Sequence, residues 1–290
     1  MPSKWLSLEK RRKMNTKLII SADDFGCNSN INVAISDSFN RNLCTNTSLI
    51  VNMPLTEEAV EIAYRNKFEH KVGLHINLTE GRPLTDSIRR LNLFCDEEGN
   101  FNAAFHTNTL TRLYLNTKII GIIREEINEQ LEKYIKYKFE LLHLDSHHHI
   151  HTDYAIFKAI KPLIKKYNVK SMRISRNLYN KNTLYNSIYK LIFNNYIIKP
   201  SVYTTDYFGS IDDLLNLSKD KIKVKERDVV ELMIHPIYEG DTVVDANIEL
   251  ARKISNLNKK FELISYADIT GVSRGSKEFG IDVYKITDRS

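Results

Sequence analysis

Residues 17–26 read KLIISADDFG, a short apolar run that stops on two adjacent carboxylates, Asp23 and Asp24. The same arrangement recurs along the chain. Ser48–Val51 ends at Asn52, Val72–Leu74 at His75, Leu141–Leu144 at Asp145 and His147, and Ser171–Met172 at Arg173. Val202–Thr205 ends at Asp206, Val229–Ile234 at His235, and Phe261–Ile264 at Ser265. Continuous apolar runs of this length suit strands buried on both faces, as in a parallel sheet. Helical stripes fill several gaps: Ile119, Ile123, Ile127, Leu131 and Ile135 in one, Ile156, Ile160, Leu163 and Tyr167 in another. Strands alternating with helices predict an α/β chain, here a single-domain β/α-barrel-like fold of roughly seven to eight βα units, closed or irregular. An open doubly wound sheet is the alternative, and it gathers its chemistry at the same strand ends.

The barrel domain is expected over 17–270. Residues 1–16 carry Lys4, Lys10, Arg11, Arg12 and Lys13 without the apolar stretch of a secretory signal, and read as a flexible basic extension. Residues 271–290 read as a peripheral tail. Two gaps are too long for simple connections. Residues 79–117, with Phe94, Phe101 and Phe105, suit a lid or substrate wall, and residues 177–199 suit an insertion or an oligomer surface.

Composition narrows the function. The 290 residues hold 42 Lys+Arg against 36 Asp+Glu, a net charge of +6, and 42% hydrophobic residues. That is enough apolar content for a full core. The charge is spread along the chain and forms no basic stripe with interleaved aromatics, so nucleic acid is not an expected partner. No apolar run reaches about 18 residues, so no membrane span is expected. Three cysteines, odd and sparse, point to a reducing compartment rather than a disulfide framework.

The nine histidines, by contrast, are clustered. Residues 143–151, HLDSHHHIH, hold five of them with Asp145 directly after a strand. Neutral imidazole is a common ligand for transition metals, so a metal site outweighs a merely polar loop. His147 and His151 stand four apart and would share a face if a helix began here. Asp23 and Asp24 have two readings. They could cap a helix starting near Ser29, or divide labour, one binding a metal while the other acts as a base. His75, His235 and Arg173 are each ambiguous alone, and gain weight because all fall on one edge of the inferred sheet.

Taken in order, DDFG, GLHINLTEGRPL, HLDSHHHIH and ELMIHP resemble the YdjC-like carbohydrate deacetylases, a family that includes chitooligosaccharide (chitobiose) deacetylases. The resemblance spans about Lys17 to Asp268. It implies a cytoplasmic, homodimeric β/α-barrel-like enzyme that removes acetyl groups from N-acetylated mono- or oligosaccharides with one divalent metal ion, Mg²⁺ or Zn²⁺. By position it makes Asp24, His75 and His147 the metal ligands, Asp23 the general base and His235 the acid for the leaving amine. Asp145, His151 and Arg173 would orient those groups or touch substrate. Cys27, the absence of an acidic residue after Arg173, and Pro-Ile-Tyr after His235 depart from the usual family pattern.

A competing ligand set uses Asp24, His147 and His151, exploiting the H-x-x-x-H spacing, with His75 then lining the sugar site. Two other function classes fit less well. A sugar phosphoesterase usually needs two metals and more bridging carboxylates. A non-catalytic sugar-binding relative would often have lost one of Asp23, Asp24, His147 and His235.

Overall fold

The computed structural model describes residues 16–178, 183–216, 224–255, 257 and 261–271. The expected extension and tail therefore lie outside the described residues, apart from Thr16 and Gly271. Thr16 itself is buried, and its carbonyl accepts from the Glu262 N–H at 3.1 Å.

In chain order the first elements are β1 (Lys17–Phe25), α1 (Ser29–Asn40), β2 (Asn46–Leu49), α2 (Thr56–Arg65) and β3 (Val72–Ile76). Three short helices follow, α3 (Asp86–Arg89), α4 (Ala104–Thr107) and α5 (Thr109–Leu113), then the long α6 (Thr117–Lys136). Next come β4 (His143–Ser146), α7 (Tyr154–Tyr167), β5 (Ser171–Met172), α8 (Leu184–Ile192), β6 (Tyr207–Ser210) and α9 (Ile211–Asn216). The chain continues through β7 (Val229–Ile234), a small antiparallel sheet of β8 (Ile237–Glu239), β9 (Thr242–Asp245) and β10 (Ile248–Glu249), and α10 (Leu250–Ile254). It closes with β11 (Glu262–Leu263) and α11 (Tyr266–Thr270).

The main sheet runs β5-β4-β3-β2-β1-β7-β6, with β11 against the start of β1, and every pairing is parallel. Curled and flanked by helices, it is an α/β barrel-like half-barrel. Residues 18–22 of β1 are all fully buried, which is why its sequence is apolar without alternation. Between β5 and β6 the wall is stitched rather than paired. Tyr203 bridges Ser171, and the Asn177 N–H donates to the Phe208 carbonyl at 3.0 Å. The strand expected at Val202–Thr205 is therefore a single bridge. The true strand, β6, begins at Tyr207, beyond Asp206.

The helical stripes bury their faces with one instructive difference. In α7, Ile156, Ile160 and Leu163 pack inward as the spacing predicts. In α6 the buried face is Ile120, Ile123, Ile127, Leu131 and Tyr134, with Glu126 and Gln130 buried among them, while Ile135 is exposed. Those two polar residues serve the loop after β3. Glu126 accepts from the Leu84 and Thr85 N–H groups, and Gln130 exchanges hydrogen bonds with the Asn77 backbone. Loop N–H groups that lose water need such acceptors.

The same anchoring shapes residues 79–117. Phe94 and Phe105 are fully buried and stacked with ring centroids 4.4 Å apart. With Phe101, also buried, they are the core of this wall. Beyond β5, α8 is amphipathic and exposes Leu184, Tyr185, Ile188 and Leu191.

Candidate active site

The carboxyl end of β1 separates two carboxylates that are neighbours in sequence. Asp24 takes a left-handed backbone (φ 68°), uncommon for a residue with a side chain, and Gly26 follows at φ 96°. At Gly26 a Cβ would stand 2.7 Å from the Ile50 carbonyl oxygen, so only glycine fits the turn. Helix α1 is capped by Asn28, whose side chain accepts from the Ile31 N–H at 3.0 Å. Neither aspartate caps it, which removes the capping alternative.

The kink sends the two side chains to different partners. Asp24 Oδ1 lies 2.7 Å from His147 Nδ1 and 3.3 Å from His75 Nε2. Asp23 turns the other way, where the buried Arg173 guanidinium donates to both its oxygens at 2.7 Å. His235 Nε2 is 4.0 Å from Asp23 Oδ2 and half exposed, while its backbone N–H donates to Asp245.

Behind this pair lies a polar layer supplied by adjacent strands. His75 Nδ1 is 2.7 Å from Asp145 Oδ1, and the Ser48 hydroxyl donates to Asp145 Oδ2 at 2.9 Å. Arg173 reaches Asp145 Oδ2 at 2.9 Å and donates through Nε to Glu231 at 2.8 Å. Glu231 in turn accepts from the Tyr266 hydroxyl at 2.6 Å. Ser48, Glu231 and Tyr266 were invisible as site residues in sequence. Glu231 lies within the apolar run of β7, and a charged residue inside a buried strand was the available signal.

The histidine cluster does not form a regular helix. Residues His147–Thr152 make a tight 3₁₀ turn in which His148 (φ 53°) and His149 (φ 56°) are left-handed. The expected shared face of His147 and His151 is therefore absent. His151 is fully buried, with Nδ1 2.6 Å from the Ser146 hydroxyl and Nε2 3.1 Å from the Arg173 carbonyl. Both ring nitrogens are committed, so the ligand set of Asp24, His147 and His151 does not assemble. Glu80, another residue missed in sequence, approaches His147 Nε2 at 3.4 Å.

Electrostatics follow from burial and pairing. Burial opposes the Asp24 charge, yet hydrogen bonds from His147 and His75 hold its carboxyl well below the usual range. For His75, burial disfavours the cation, but Asp145 and Asp24 outweigh it and push the ring up to about 10. Asp145 is lowered despite its burial, by Arg173 and His75. Asp23, Asp145 and Glu231 share one guanidinium, Arg173, while Asp24 is met only by the imidazoles of His147 and His75. An excess of enclosed negative charge invites a cation.

A divalent ion fits that excess. Asp24, His75 and His147 each offer a ligand atom, all within 4.8 Å of one another. Asp145 fixes the tautomer of His75 with Nε2 directed at Asp24, the support that ligand histidines ordinarily receive. A second trio, Asp23, His75 and Asp145, also meets the distance, but Arg173 already occupies its carboxylates. A cavity of about 580 Å³ opens over the site, lined by Asp23, Asp24, His147 and His235 and walled by Ala103 and His106.

Comparison with known proteins follows the same lines. The sequence model described as YdjC-like protein matches residues 17–264. A carbohydrate deacetylase from Clostridium beijerinckii is 29% identical over 273 residues, covering 87% of this chain and all of that one. A carbohydrate deacetylase from Vibrio cholerae is 33% identical over 227 residues, covering 77% of this chain and 79% of that one. Among solved structures, a protein from Enterococcus faecalis V583, provisionally described as a cellobiose-phosphate cleavage protein, superposes with a TM-score of 0.64 at 20% identity. It covers 88% of this chain and 99% of that one, and shares the fold. With the family model matched from the first strand to the last, the chain belongs to the YdjC-like protein family.

Proposed function

We propose that this protein is a metal-dependent carbohydrate deacetylase, a hydrolase that cleaves the N-acetyl group of an amino sugar or chitooligosaccharide to acetate and free amine. One observation carries the reading: the left-handed Asp24 divides two adjacent carboxylates between a histidine pair and an arginine. Metal-assisted amide hydrolysis can use that division, with one carboxylate as a ligand and its neighbour as a base.

Asp24, His75 and His147 would hold the ion, and Asp145 would orient His75. When bound, such an ion supplies Lewis acidity toward the acetamide carbonyl and the attacking water. Two imidazoles suit Zn²⁺, while a shell completed by water admits Mg²⁺. Asp23 takes the proton from water as its oxygen attacks the carbonyl carbon. Arg173 occupies one lone pair on each Asp23 oxygen and leaves the others to accept. His235 then gives its Nε2 proton to the amide nitrogen as the C–N bond breaks, releasing acetate. Its exposure on the cavity wall lets it reach a leaving group.

The free thiols Cys27, Cys44 and Cys95 suit a cytoplasmic setting, and the apolar face of α8 suits a homodimer. Among the described residues, no helix is long and apolar enough to cross a membrane.

Acetate release from diacetylchitobiose, with and without chelator, tests the reaction. Asp23→Asn should keep its metal and lose about 10³-fold in kcat. His75→Ala should lose the metal, whereas His151→Ala should retain it in whatever fraction folds. Phosphate release from a sugar phosphate, with no acetate from any N-acetyl sugar, would overturn the assignment.

A further inference from the structure

The wall formed by residues 79–117 contributes one titratable side chain to the cavity, His106, from α4. Its ring is held from behind. Nδ1 lies 2.9 Å from Oδ2 of Asp153, a carboxylate only 1% exposed, whose other oxygen accepts from Arg112 Nε at 2.7 Å. Asp153 sits at the N-cap of α7, directly after the histidine turn, and its side chain makes no capping bond. A carboxylate at that position ordinarily caps its own helix. Here it reaches across to the wall instead.

The bond is not what keeps the wall in place. Phe105, the residue before His106, is fully buried and stacked on Phe94, so α4 is already pinned. What Asp153 adds is direction. A carboxylate accepting from Nδ1 fixes the tautomer and leaves Nε2 as an acceptor with a defined heading, on a side chain that lines the cavity and is a quarter exposed. No hydrogen-bond partner meets Nε2 among the described residues. Asp23, Asp24, His75 and His147, by contrast, are bonded to one another or to Arg173. A fixed acceptor on a prebuilt wall is what a hydroxyl-rich ligand needs, because little ordering remains to be done on binding.

We propose that His106, aimed by Asp153, is a substrate-binding residue that accepts a hydrogen bond from a ring hydroxyl of the N-acetyl sugar. The proposal rests on the deacetylase reading for the identity of the sugar, and it assigns the 79–117 wall a role in recognition rather than in chemistry. His106 makes no bond cleavage easier; it sets where the ring lies relative to Asp23. Asp153 is a positioning residue that acts through it.

The test separates recognition from catalysis. In acetate release from diacetylchitobiose, His106→Ala should raise KM about tenfold, the worth of one hydrogen bond, with kcat within about threefold of the parent. Asp153→Asn should raise KM by less, and the double variant should match His106→Ala. His106→Gln keeps an acceptor and should recover part of the loss. Metal content and the unfolding midpoint of His106→Ala should match the parent. An independent arm uses calorimetry on Asp23→Asn with and without His106→Ala, titrated with N-acetylglucosamine and diacetylchitobiose. There the added substitution should weaken binding about tenfold, whether or not the parent enzyme releases acetate. An unchanged KM and unchanged binding in folded His106→Ala, or in folded His106→Leu where the alanine variant does not fold, would overturn the proposal. So would a fall in kcat or metal content at constant KM. Absence of acetate from the parent, with sugar binding still dependent on His106, would sink the deacetylase reading alone. Failure of both sugars to bind would sink both.

Discussion

Two aspartate–histidine pairs do different work in this molecule. Asp145 and His75 meet at 2.7 Å with both side chains buried, and their Cα atoms are direct partners in the β3–β4 register. Asp153 and His106 meet at 2.9 Å across 47 positions of chain, joining the wall to the start of α7. The first pair is set by a sheet whose hydrogen bonds leave little freedom. The second is set by packing of Phe94 against Phe105 and by a cap side chain that turns away from its helix. The proposed chemistry sits beside the pair held in the sheet, and recognition is assigned to the pair held in the wall.

The sharpest way to break the contrast is Arg173→Ala. It strands Asp23, Asp145 and Glu231 without their shared cation in the barrel interior. Removing one partner of a buried ion pair costs about 3–5 kcal/mol, and three partners are left here. Urea unfolding should show a loss of at least that size. A loss below about 1 kcal/mol would mean that water or a bound ion already screens these carboxylates.

Acid should weaken the strand-end region next. Burial holds His143 and His151 down to about 3. Unfolded histidine titrates near about 6.5, so the folded values are depressed. The unfolded chain therefore binds protons first. Their contribution to stability is complete above about pH 6.5 and declines as pH falls toward 3, by about 2 kcal/mol per histidine at pH 5. Urea midpoints of the metal-free protein at pH 7 and pH 5 measure this. Equal midpoints would show that these rings are not held neutral.

The smallest effect belongs to the wall. Arg112 is 41% exposed and shares Asp153 with His106. Arg112→Ala should cost less than about 1 kcal/mol and raise KM only a few-fold, since Asp153 keeps His106. An effect on KM as large as that of His106→Ala would move the recognition role onto the arginine.

The same contrast explains what could be read from sequence. Asp23, Asp24, His75, Asp145, Arg173 and His235 were legible because strand ends repeat a pattern, and parallel pairing brings pattern-mates to one edge. His151 misled because its spacing from His147 has helical period, and only φ values at His148 and His149 reveal the turn. Glu231 and Tyr266 lay hidden, since burying a charge depends on a partner 58 positions away, Arg173, which no local pattern announces. The wall was recognised only as a long irregular connection. Its aromatics pack by tertiary contact, and the His106–Asp153 bond has no periodic signature.

Asp24 carries a consequence for how such a site is lost over generations. Its left-handed backbone suits aspartate, asparagine and glycine and penalises other residues, glutamate included. The codons for aspartate and asparagine differ by one base. A lineage freed from selection for hydrolysis can thus discard the charge proposed to bind the ion in a single step while its turn is kept. The conformation that divides the two carboxylates also makes the proposed ligand easy to lose while the turn that held it remains.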